Sequence, residues 1–302
     1  MDFGTIFEAG EEGEWDHLLW GGFAGTAVKK DGRYYLYYQG ARDYLGAPYE
    51  TVVWRAIGVA TSVDGINFTK YDGNPVVTWF PSGYPDGHGE EGATSGGVTL
   101  DNNGEFSLFY GANTAFSPTS VHADGRLATS DDGFNFSDEG AVLEHDDASI
   151  WGSGDELFPI AAIYDAAQWI VYYLPNGGGK GRHLGVAWGD SGEDLNHSTA
   201  VRSRISGIGA WGMAGNAKVG ANTYAIFTNW VTDPEIEVWL MSPDAPDRFS
   251  GPVEEYRFPD VLQATILLDE ETATWFMYYR AQDHYGVKLA PARGNVAEAS
   301  TN

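Results

Sequence analysis

Hydrophobic positions along the chain gather into short aromatic runs that are separated by polar, glycine-rich turns. The first run, YYLYY, covers residues 34–38 and follows an Asp-Gly pair. Aromatic residues favour a pleated, half-buried strand, and Asp-Gly is a hairpin signal because both central positions of that turn need positive φ. Related runs recur at residues 106–110, 169–173, 224–228 and 275–279. The pattern predicts five copies of one β unit.

A second phrase follows each aromatic run at a similar spacing. It reads IGVATSVDGINF at residues 57–68 and GRLATSDDGFNF at residues 125–136. More divergent copies begin at residues 184, 238 and 286. A period of this size is typical of a four-stranded blade, and blades bury their faces only against one another. We therefore predict an all-β fold, a five-bladed β-propeller with four-stranded blades.

The repeat predicts that residues 1–302 form a single propeller domain. The expected blades cover residues 15–80, 81–148, 149–206, 207–257 and 258–293. The last of these lacks a final strand, whereas residues 4–8 resemble the strand that ends the second blade. We expect this N-terminal strand to pair with the last blade and to close the ring, because closure removes an exposed sheet edge.

Each blade is expected to open with an inner strand that lines a central channel. These strands are predicted at residues 22–30, 94–101 and 157–164 in the first three blades. Residues 39–54 are expected to form a surface loop, and residues 80–93 a second loop before the second blade. The phrases SVDGINF and SDDGFNF are interpreted as blade turns without a catalytic role.

Acidic residues greatly outnumber basic ones, with 43 Asp and Glu against 17 Lys and Arg and a formal net charge of −26. A basic surface for nucleic acid is therefore not expected. A chain this acidic repels itself at low salt, so we predict a halophilic protein that works where screening is strong. An ordinary acidic protein is the alternative. Cysteine is absent, which excludes disulfides and a thiol nucleophile.

The N-terminal segment has neither the basic region nor the apolar region of a signal peptide. No apolar run approaches membrane-spanning length. The sequence as written predicts a cytoplasmic protein without a membrane partner, and removal of a leader would make it a secreted one. No cofactor and no metal are predicted, since His17 and His88 show no zinc spacing. The oligomeric state stays open.

Acids precede the inner strand in four of the five expected blades. They are Asp16, Glu90, Glu91, Asp155, Glu156 and Asp260, and the fourth blade has Trp211 in that place. In a propeller these positions are expected to converge on one mouth of the channel. Converging carboxyl groups suit glycosidic chemistry, in which one acid protonates the leaving oxygen while the second activates water or attacks directly.

Glu156 is the strongest candidate for the general acid. It should share a strand face with Phe158 and Ile160 and lie partly desolvated at the channel rim, which raises the pKa of a carboxyl group. Asp16 is the candidate base, and Glu91 is a third catalytic candidate that would tune or orient the others. For each of these acids the alternative is a solvated or turn-capping role.

The remaining candidates are expected to bind a carbohydrate substrate. Trp faces are platforms for sugar rings, and a cation holds a carboxylate or a sugar hydroxyl. The candidates for substrate binding are Asp155, Glu90, Trp15, Trp20, Trp151, Trp211, Arg280 and His284. A turn cap is the alternative for Asp155, and a surface salt bridge is the alternative for Arg280.

Residues 14–41 and 58–77, the latter reading GVATSVDGINFTKYDGNPVV, resemble the five-bladed propeller glycoside hydrolases of families 43 and 32 and their uncharacterised relatives. The resemblance covers nearly the whole chain and implies one catalytic acid in each of the first three blades. Glu156 matches the Glu of the third blade, and Glu91 lies near the second position. The first position, residues 23–26, has no acid, so only Asp16 further upstream could substitute.

Three functions are open at this point. The first is a glycoside hydrolase-like enzyme acting on an oligo- or polysaccharide, which needs two carboxyl groups within roughly 5–9.5 Å. The second is a non-catalytic carbohydrate-binding or degenerate glycosidase-like propeller, which has aromatic and hydrogen-bonding groups but no such pair. The third is a protein-interaction propeller, which exposes an apolar patch on one face.

Overall fold

The computed structural model describes most of the chain in fourteen segments. These are residues 2–19, 26–46, 49–79, 91–117, 120–146, 156–165, 167–176, 185–197, 213–220, 223–229, 235–246, 248–257, 263–280 and 284–291. All regular structure within these segments is β-strand, which confirms the all-β prediction. None of the segments contains a helix of the length and apolarity needed to cross a membrane.

The strands are numbered in chain order. The first ten are β1 Asp2–Glu8, β2 Thr26–Lys30, β3 Arg33–Gly46, β4 Tyr49–Ser62, β5 Thr69–Lys70, β6 Glu91–Leu100, β7 Phe106–Ser117, β8 Ser120–Ser130, β9 Ser137–Leu143 and β10 Glu156–Asp165. The others are β11 Gln168–Asn176, β12 Gly185–Gly189, β13 Asn196–His197, β14 Met213–Gly220, β15 Thr223–Asn229, β16 Glu235–Met241, β17 Phe249–Arg257, β18 Gln263–Asp269, β19 Thr274–Arg280 and β20 His284–Pro291.

Consecutive strands form antiparallel units of four. Within the described residues these units are β2–β5, β6–β9, β10–β13, β14–β17 and β18–β20 with β1. Two short parallel pairings join units into larger sheets, β4 with β6 at Trp54↔Glu91 and β14 with β18 at Gly215↔Ile266. The repeat seen in the sequence is thus a repeat of strands, while closure into a five-bladed ring stays a prediction.

Each aromatic run lies in the second strand of its unit. In β3, Tyr35 and Tyr37 belong to one core cluster with Phe106 of the second unit. Tyr34 belongs to another cluster, with Phe276 of the last unit. Side chains alternate between the two faces of a strand, so one aromatic run packs against two neighbouring units. Each fully buried aromatic ring stabilises the fold by about 1.5–3 kcal/mol.

The first and last units pack against each other. β1 pairs antiparallel with β20, which confirms the pairing predicted for the N-terminal strand. Lys29 on β2 lies 2.9 Å from Asp269 and 2.6 Å from Glu271, both in the last unit. The hydroxyl group of Tyr34 donates a hydrogen bond of 2.6 Å to Asp269. Chain ends that are far apart in sequence therefore share one buried polar contact.

Asp269 carries the charge of this contact. Burial alone pushes the pKa of its carboxyl group upward, but hydrogen bonds from Thr272, Tyr34 and Lys29 outweigh it and hold the pKa well below the usual range. Burial and the hydrogen bond to Asp269 raise the pKa of Tyr34 to about 12. The fold therefore favours the ionised carboxylate at this position.

The predicted blade turns are structural, as interpreted from the sequence. Asp64 accepts hydrogen bonds of 2.8 and 2.7 Å from the backbone N–H groups of Ile66 and Asn67. In the second unit Asp132 makes the equivalent contacts. Although partial burial pushes the pKa of both carboxyl groups upward, these hydrogen bonds hold it well below the usual range. Both aspartates are thus occupied within their own turns.

One loop prediction is wrong, and a second is wrong for its last three residues. Residues 39–54 are not a loop, because β3 continues to Gly46 and β4 begins at Tyr49, so that the stretch is a β-hairpin. Its Tyr, Thr and Val residues favour strand structure, which outweighs the glycines. Of the loop predicted over residues 80–93, residues 80–90 lie outside the described residues, and residues 91–93 belong to β6, which begins at Glu91. Glu91 is therefore a strand residue.

Candidate active site

The candidate site lies where the inner strands begin. The inner and second strands of a unit are antiparallel, so an inner strand begins towards the end of the second strand. Ala93 near the start of β6 pairs with Ala112 in the later half of β7, and Glu156 at the start of β10 pairs with Asn176 at the end of β11. The first residues of β6 and β10 therefore lie at the same end of the molecule as the connections β3–β4 and β7–β8. This is the end at which the sequence placed the channel mouth.

The inner strands of the second and third units touch through their backbones. A Cβ atom on Gly96 would lie 3.0 Å from the carbonyl oxygen of Pro159, and one on Gly97 would collide with the backbone of Ala162. Only glycine allows an approach this close. The contacts advance along both strands together, so β6 and β10 run in the same direction side by side.

Glu91 and Glu156 are consequently brought to the same end of two neighbouring strands. Glu156 is only 9% exposed, in line with the desolvated position predicted for it. Phe158 and Ile160 behind it both join one apolar cluster. Glu156 therefore starts a strand whose next residues on the same face are buried and apolar.

The start of β6 is held by the first unit. Glu91 pairs with Trp54 and Gly92 with Arg55. Gly92 has a φ of +119°, and a Cβ atom there would collide with the backbone of Arg55. Arg55 is nearly buried, and the guanidinium group of Arg42 stacks 4.9 Å from the ring centre of Trp54. Sequence reasoning missed these neighbours because a parallel pairing between two units leaves no local pattern.

Asp16, the candidate base, is buried and forms an ion pair with a partly exposed lysine. Its carboxylate is 2.7 Å from the ammonium group of Lys70 and accepts a hydrogen bond of 3.1 Å from Tyr38. Lys70 belongs to β5, the outermost strand of the first unit, whereas Glu91 and Glu156 begin inner strands. These contacts fasten the N-terminal segment to the first unit. The role of Asp16 as a base stays a prediction.

Trp15, one of the expected sugar platforms, is a packing residue. Its ring occupies the space above Gly40 and Gly58, where added Cβ atoms would lie 2.5 and 2.6 Å from ring carbons. The ring centre is 5.6 Å from that of Tyr38. The two glycines thus make room for an indole that covers the first unit.

The other candidates are placed only in part. Arg280 ends β19 opposite Gln263 and is half-buried. His284 begins β20 opposite Glu8 of the N-terminal strand. Both flank the β19–β20 connection, at the end where inner strands begin. The candidates outside the described residues are Glu90, Asp155, Asp260, Trp20, Trp151 and Trp211. In the described part of the chain, no group of three or more His, Cys, Asp and Glu could hold a metal ion.

Comparison with known proteins shows a shared fold. No protein-family model matches the chain. It resembles the β-1,2-mannobiose phosphorylase of Listeria innocua, with a TM-score of 0.61, 14% identity, and coverage of 96% of this chain and 94% of that one. It also resembles a glycosyl hydrolase from Bacteroides ovatus, with a TM-score of 0.57 and 14% identity over 90% of this chain and 84% of that one. A third similar structure comes from work on the GH130 family of mannoside phosphorylases, which contains glycoside hydrolases. Its TM-score is 0.55 at 13% identity, over 88% of this chain and 83% of that one.

Proposed function

We propose that the protein is a glycoside hydrolase-like enzyme that cleaves a glycosidic bond where β6 and β10 begin. The observation that carries the proposal is that Glu91 and Glu156 open two neighbouring strands at the same end. Cleavage of a glycosidic bond uses two carboxyl groups separated by roughly 5–9.5 Å. The backbone contact of β6 with β10 at Gly96 and Gly97 supports the proposal that their first residues lie near each other.

In the proposed reaction Glu156 is the general acid. Its buried carboxyl group carries the proton that passes to the glycosidic oxygen as the bond to the anomeric carbon breaks. Glu91 is the second carboxylate, which takes a proton from the attacking water or bonds to the anomeric carbon itself. Asp16 is the sequence-based alternative for this task, and its ion pair with Lys70 would have to open before it reached a substrate.

The proposed enzyme is a closed ring of five blades. The contact between Lys29 and Asp269 supports this proposal, since it joins the first unit to the last. The β1–β20 pairing also supports it, because the N-terminal strand completes the last unit. Closure matters for the chemistry because it fixes the inner strands against one another. Catalytic groups on rigid strands keep the geometry that bond cleavage requires.

A β-linked mannoside is the first substrate to test. One similar structure is a β-1,2-mannobiose phosphorylase in complex with that disaccharide, and another is described with enzymes that target β-1,2-mannosidic linkages. The protein should therefore be incubated with β-1,2-mannooligosaccharides and with a panel of aryl glycosides, with and without inorganic phosphate. We expect free sugar to be released under both conditions.

The outcomes separate the alternatives. Formation of a sugar phosphate only when phosphate is added would show that the protein catalyses phosphorolysis instead of hydrolysis. Phosphorolysis is the reaction named for the Listeria innocua protein. Binding measured by calorimetry without any product would favour the non-catalytic carbohydrate-binding protein. Absence of both binding and turnover across the panel would refute the proposal.

A further inference from the structure

The first residues of β10 rest on a pair of glycines in the second unit. Gly111 on β7 and Gly125 on β8 face each other across the two strands. A Cβ atom added to Gly111 would lie 2.5 Å from the ring of Phe158, and one added to Gly125 would lie 3.0 Å from the side chain of Pro159. Because neither place has room for a larger residue, the second unit fits closely against the start of β10.

Glu156 is the first residue of the strand that is held in this way. Ala123, two residues before Gly125 on β8, is fully buried in one apolar cluster with Phe158. Leu157, the residue after Glu156, is fully buried in a second cluster with Leu143, the last residue of β9. The position of Glu156 therefore depends on how β8 and the end of β9 are held.

A buried carboxylate joins these two parts of the second unit. Asp124 lies between Ala123 and Gly125 on β8 and is only 9% exposed. One of its oxygens accepts a hydrogen bond of 2.8 Å from the backbone N–H group of His145. The same oxygen lies 2.8 Å from Nδ1 of the His145 ring.

The contact has two parts, a backbone bond and a side-chain bond. His145 lies two residues beyond the end of β9, so the backbone bond fixes the chain where it leaves that strand. A carboxylate favours the ring form that carries its proton on Nδ1, and this form donates the second bond. Asp124 thus connects β8, at the level where it supports β10, to the chain that follows β9.

The second unit contains another ion pair that is suited to comparison. Arg126, two residues after Asp124 on β8, binds Asp138 of β9 through contacts of 3.0 and 2.6 Å. Arg126 pairs with Tyr110, one step further from the candidate site than the Gly111↔Gly125 pair. The two contacts therefore belong to the same two strands, but only that of Asp124 lies beside the residues that support β10.

We propose that Asp124 and His145 are positioning residues for the general acid. Their contact holds residues 123–125 of β8, and these residues hold the start of β10 with the carboxyl group of Glu156. This inference rests on the proposed function of Glu156. Neither residue has to touch the substrate, because a small displacement of a catalytic group is enough to slow bond cleavage.

The test compares two substrates that differ in their need for a proton. They are the phenyl and the dinitrophenyl glycoside of the sugar released in the screen, with β-mannosides in the first instance. A displaced acid slows cleavage of the phenyl glycoside, whereas the dinitrophenyl group leaves without a proton. We expect the ratio of kcat/KM for phenyl over dinitrophenyl glycoside to fall at least about tenfold in Asp124→Ala.

A second variant keeps the test decisive if Asp124→Ala does not fold. His145→Ala removes the ring and keeps the backbone hydrogen bond to Asp124, so its ratio should fall by a smaller factor. A protein that is only less folded loses activity on both substrates equally, and its ratio does not change. An unchanged ratio in the folded variants would overturn this inference and leave the proposed function intact. Absence of turnover by the unsubstituted protein across the panel would overturn both.

Two controls show whether the effect passes through Glu156. Asp138→Ala breaks the ion pair with Arg126 and should lower the Tm without changing the ratio. In the Glu156→Gln background, Asp124→Ala should lower the ratio no further, since both changes act on the same proton transfer. An equal fall of the ratio in Asp138→Ala, or a further fall in the Glu156→Gln background, would contradict the inference.

Discussion

The hydroxyl group of Tyr278 donates a hydrogen bond of 3.2 Å to the carbonyl oxygen of Gly65, which lies 213 residues earlier in the chain. Tyr278 is the fourth residue of the last aromatic run, and Gly65 lies in the Asp-Gly turn of the first unit. The fourth residue of the first run, Tyr37, donates in the same way to Gly133 in the second unit, at 2.9 Å. The last and first units thus meet through the contact that joins consecutive units.

The same position makes equivalent contacts elsewhere in the chain. Tyr172 in the third unit donates to Pro246 in the turn of the fourth, at 3.0 Å. In the second unit the position is Phe109, whose ring lies 3.5 Å from an added Cβ on Gly192 in the third unit. In each of these four contacts, an aromatic side chain of one unit reaches the turn of the next unit. This succession supports the proposed closed ring.

Removing the hydroxyl group of Tyr278 should weaken this contact alone. In Tyr278→Phe the ring still fills the core, but the carbonyl group of Gly65 loses a buried partner. We expect the free energy of unfolding to fall by about 0.5–1.5 kcal/mol in urea denaturation. Tyr37→Phe is the matched control and should lose a similar amount. A neutral Tyr278→Phe beside a destabilised control would show that the first and last units do not meet in solution.

Stability should depend on pH through Asp269. Its pKa is lower in the folded protein than the ordinary value of about 3.9. The ionised carboxylate therefore contributes stability that is complete above about pH 5 and is lost progressively as the pH falls from there through the folded pKa. We expect Asp269→Asn to lower the Tm at neutral pH and to flatten its decline below pH 5.

The exposed neighbour Glu270 provides the control for this experiment. Glu270→Gln removes one carboxylate from the same turn without touching the contact with Lys29. Its Tm should follow that of the unsubstituted protein from pH 7 to acid. If the decline of Asp269→Asn were as steep as that of the control, Asp269 would have no part in acid sensitivity.

Gly92 should be irreplaceable for a reason other than its backbone angle. Gly92 and Gly140 both have a φ of +119°, but only a Cβ at Gly92 meets other atoms, those of Arg55. Gly140→Ala should cost about 1–3 kcal/mol through backbone strain alone. Gly92→Ala should cost more in the same denaturation assay and reduce turnover as well, because it displaces the start of β6 at Glu91. Equal losses of stability and unchanged turnover would contradict this account of Gly92.

The acidic composition predicts a salt-dependent fold. With a formal net charge of −26, screening of carboxylate repulsion should raise the Tm as NaCl increases into the molar range. A neutral osmolyte series controls for effects on hydration that do not involve charge. A Tm that stays flat with NaCl would contradict the halophilic prediction.

Local patterns predicted the strands well. The aromatic runs, the turns around Asp64 and Asp132, and the pairing of the N-terminal strand all follow from residues close in sequence. The buried start of β10 at Glu156 could also be predicted, because an acid followed by an apolar run is a local pattern. These features depend on period-2 alternation and on turn chemistry, which a single sequence displays.

Contacts between different units could not be predicted from such local patterns. The prediction of a loop over residues 39–54 is wrong because cross-strand pairing extends from Gln39↔Ile57 to Gly46↔Tyr49. The ion pair of Asp16 with Lys70 joins two side chains that have no common motif. The side-by-side course of β6 and β10, which places the first residues of both strands at the same end, depends on how two units pack. Tertiary contacts decide these features.

The most direct test of the central claim concerns the proton on Glu156. Glu156→Gln keeps the size of the side chain and should keep the Tm, but it removes the acid. We expect kcat/KM to fall at least about 100-fold on an aryl glycoside with a poor leaving group and far less on one with a good leaving group, which needs no proton. Equal activity of the variant and the unsubstituted protein on both substrates would contradict the assignment of Glu156 as the general acid.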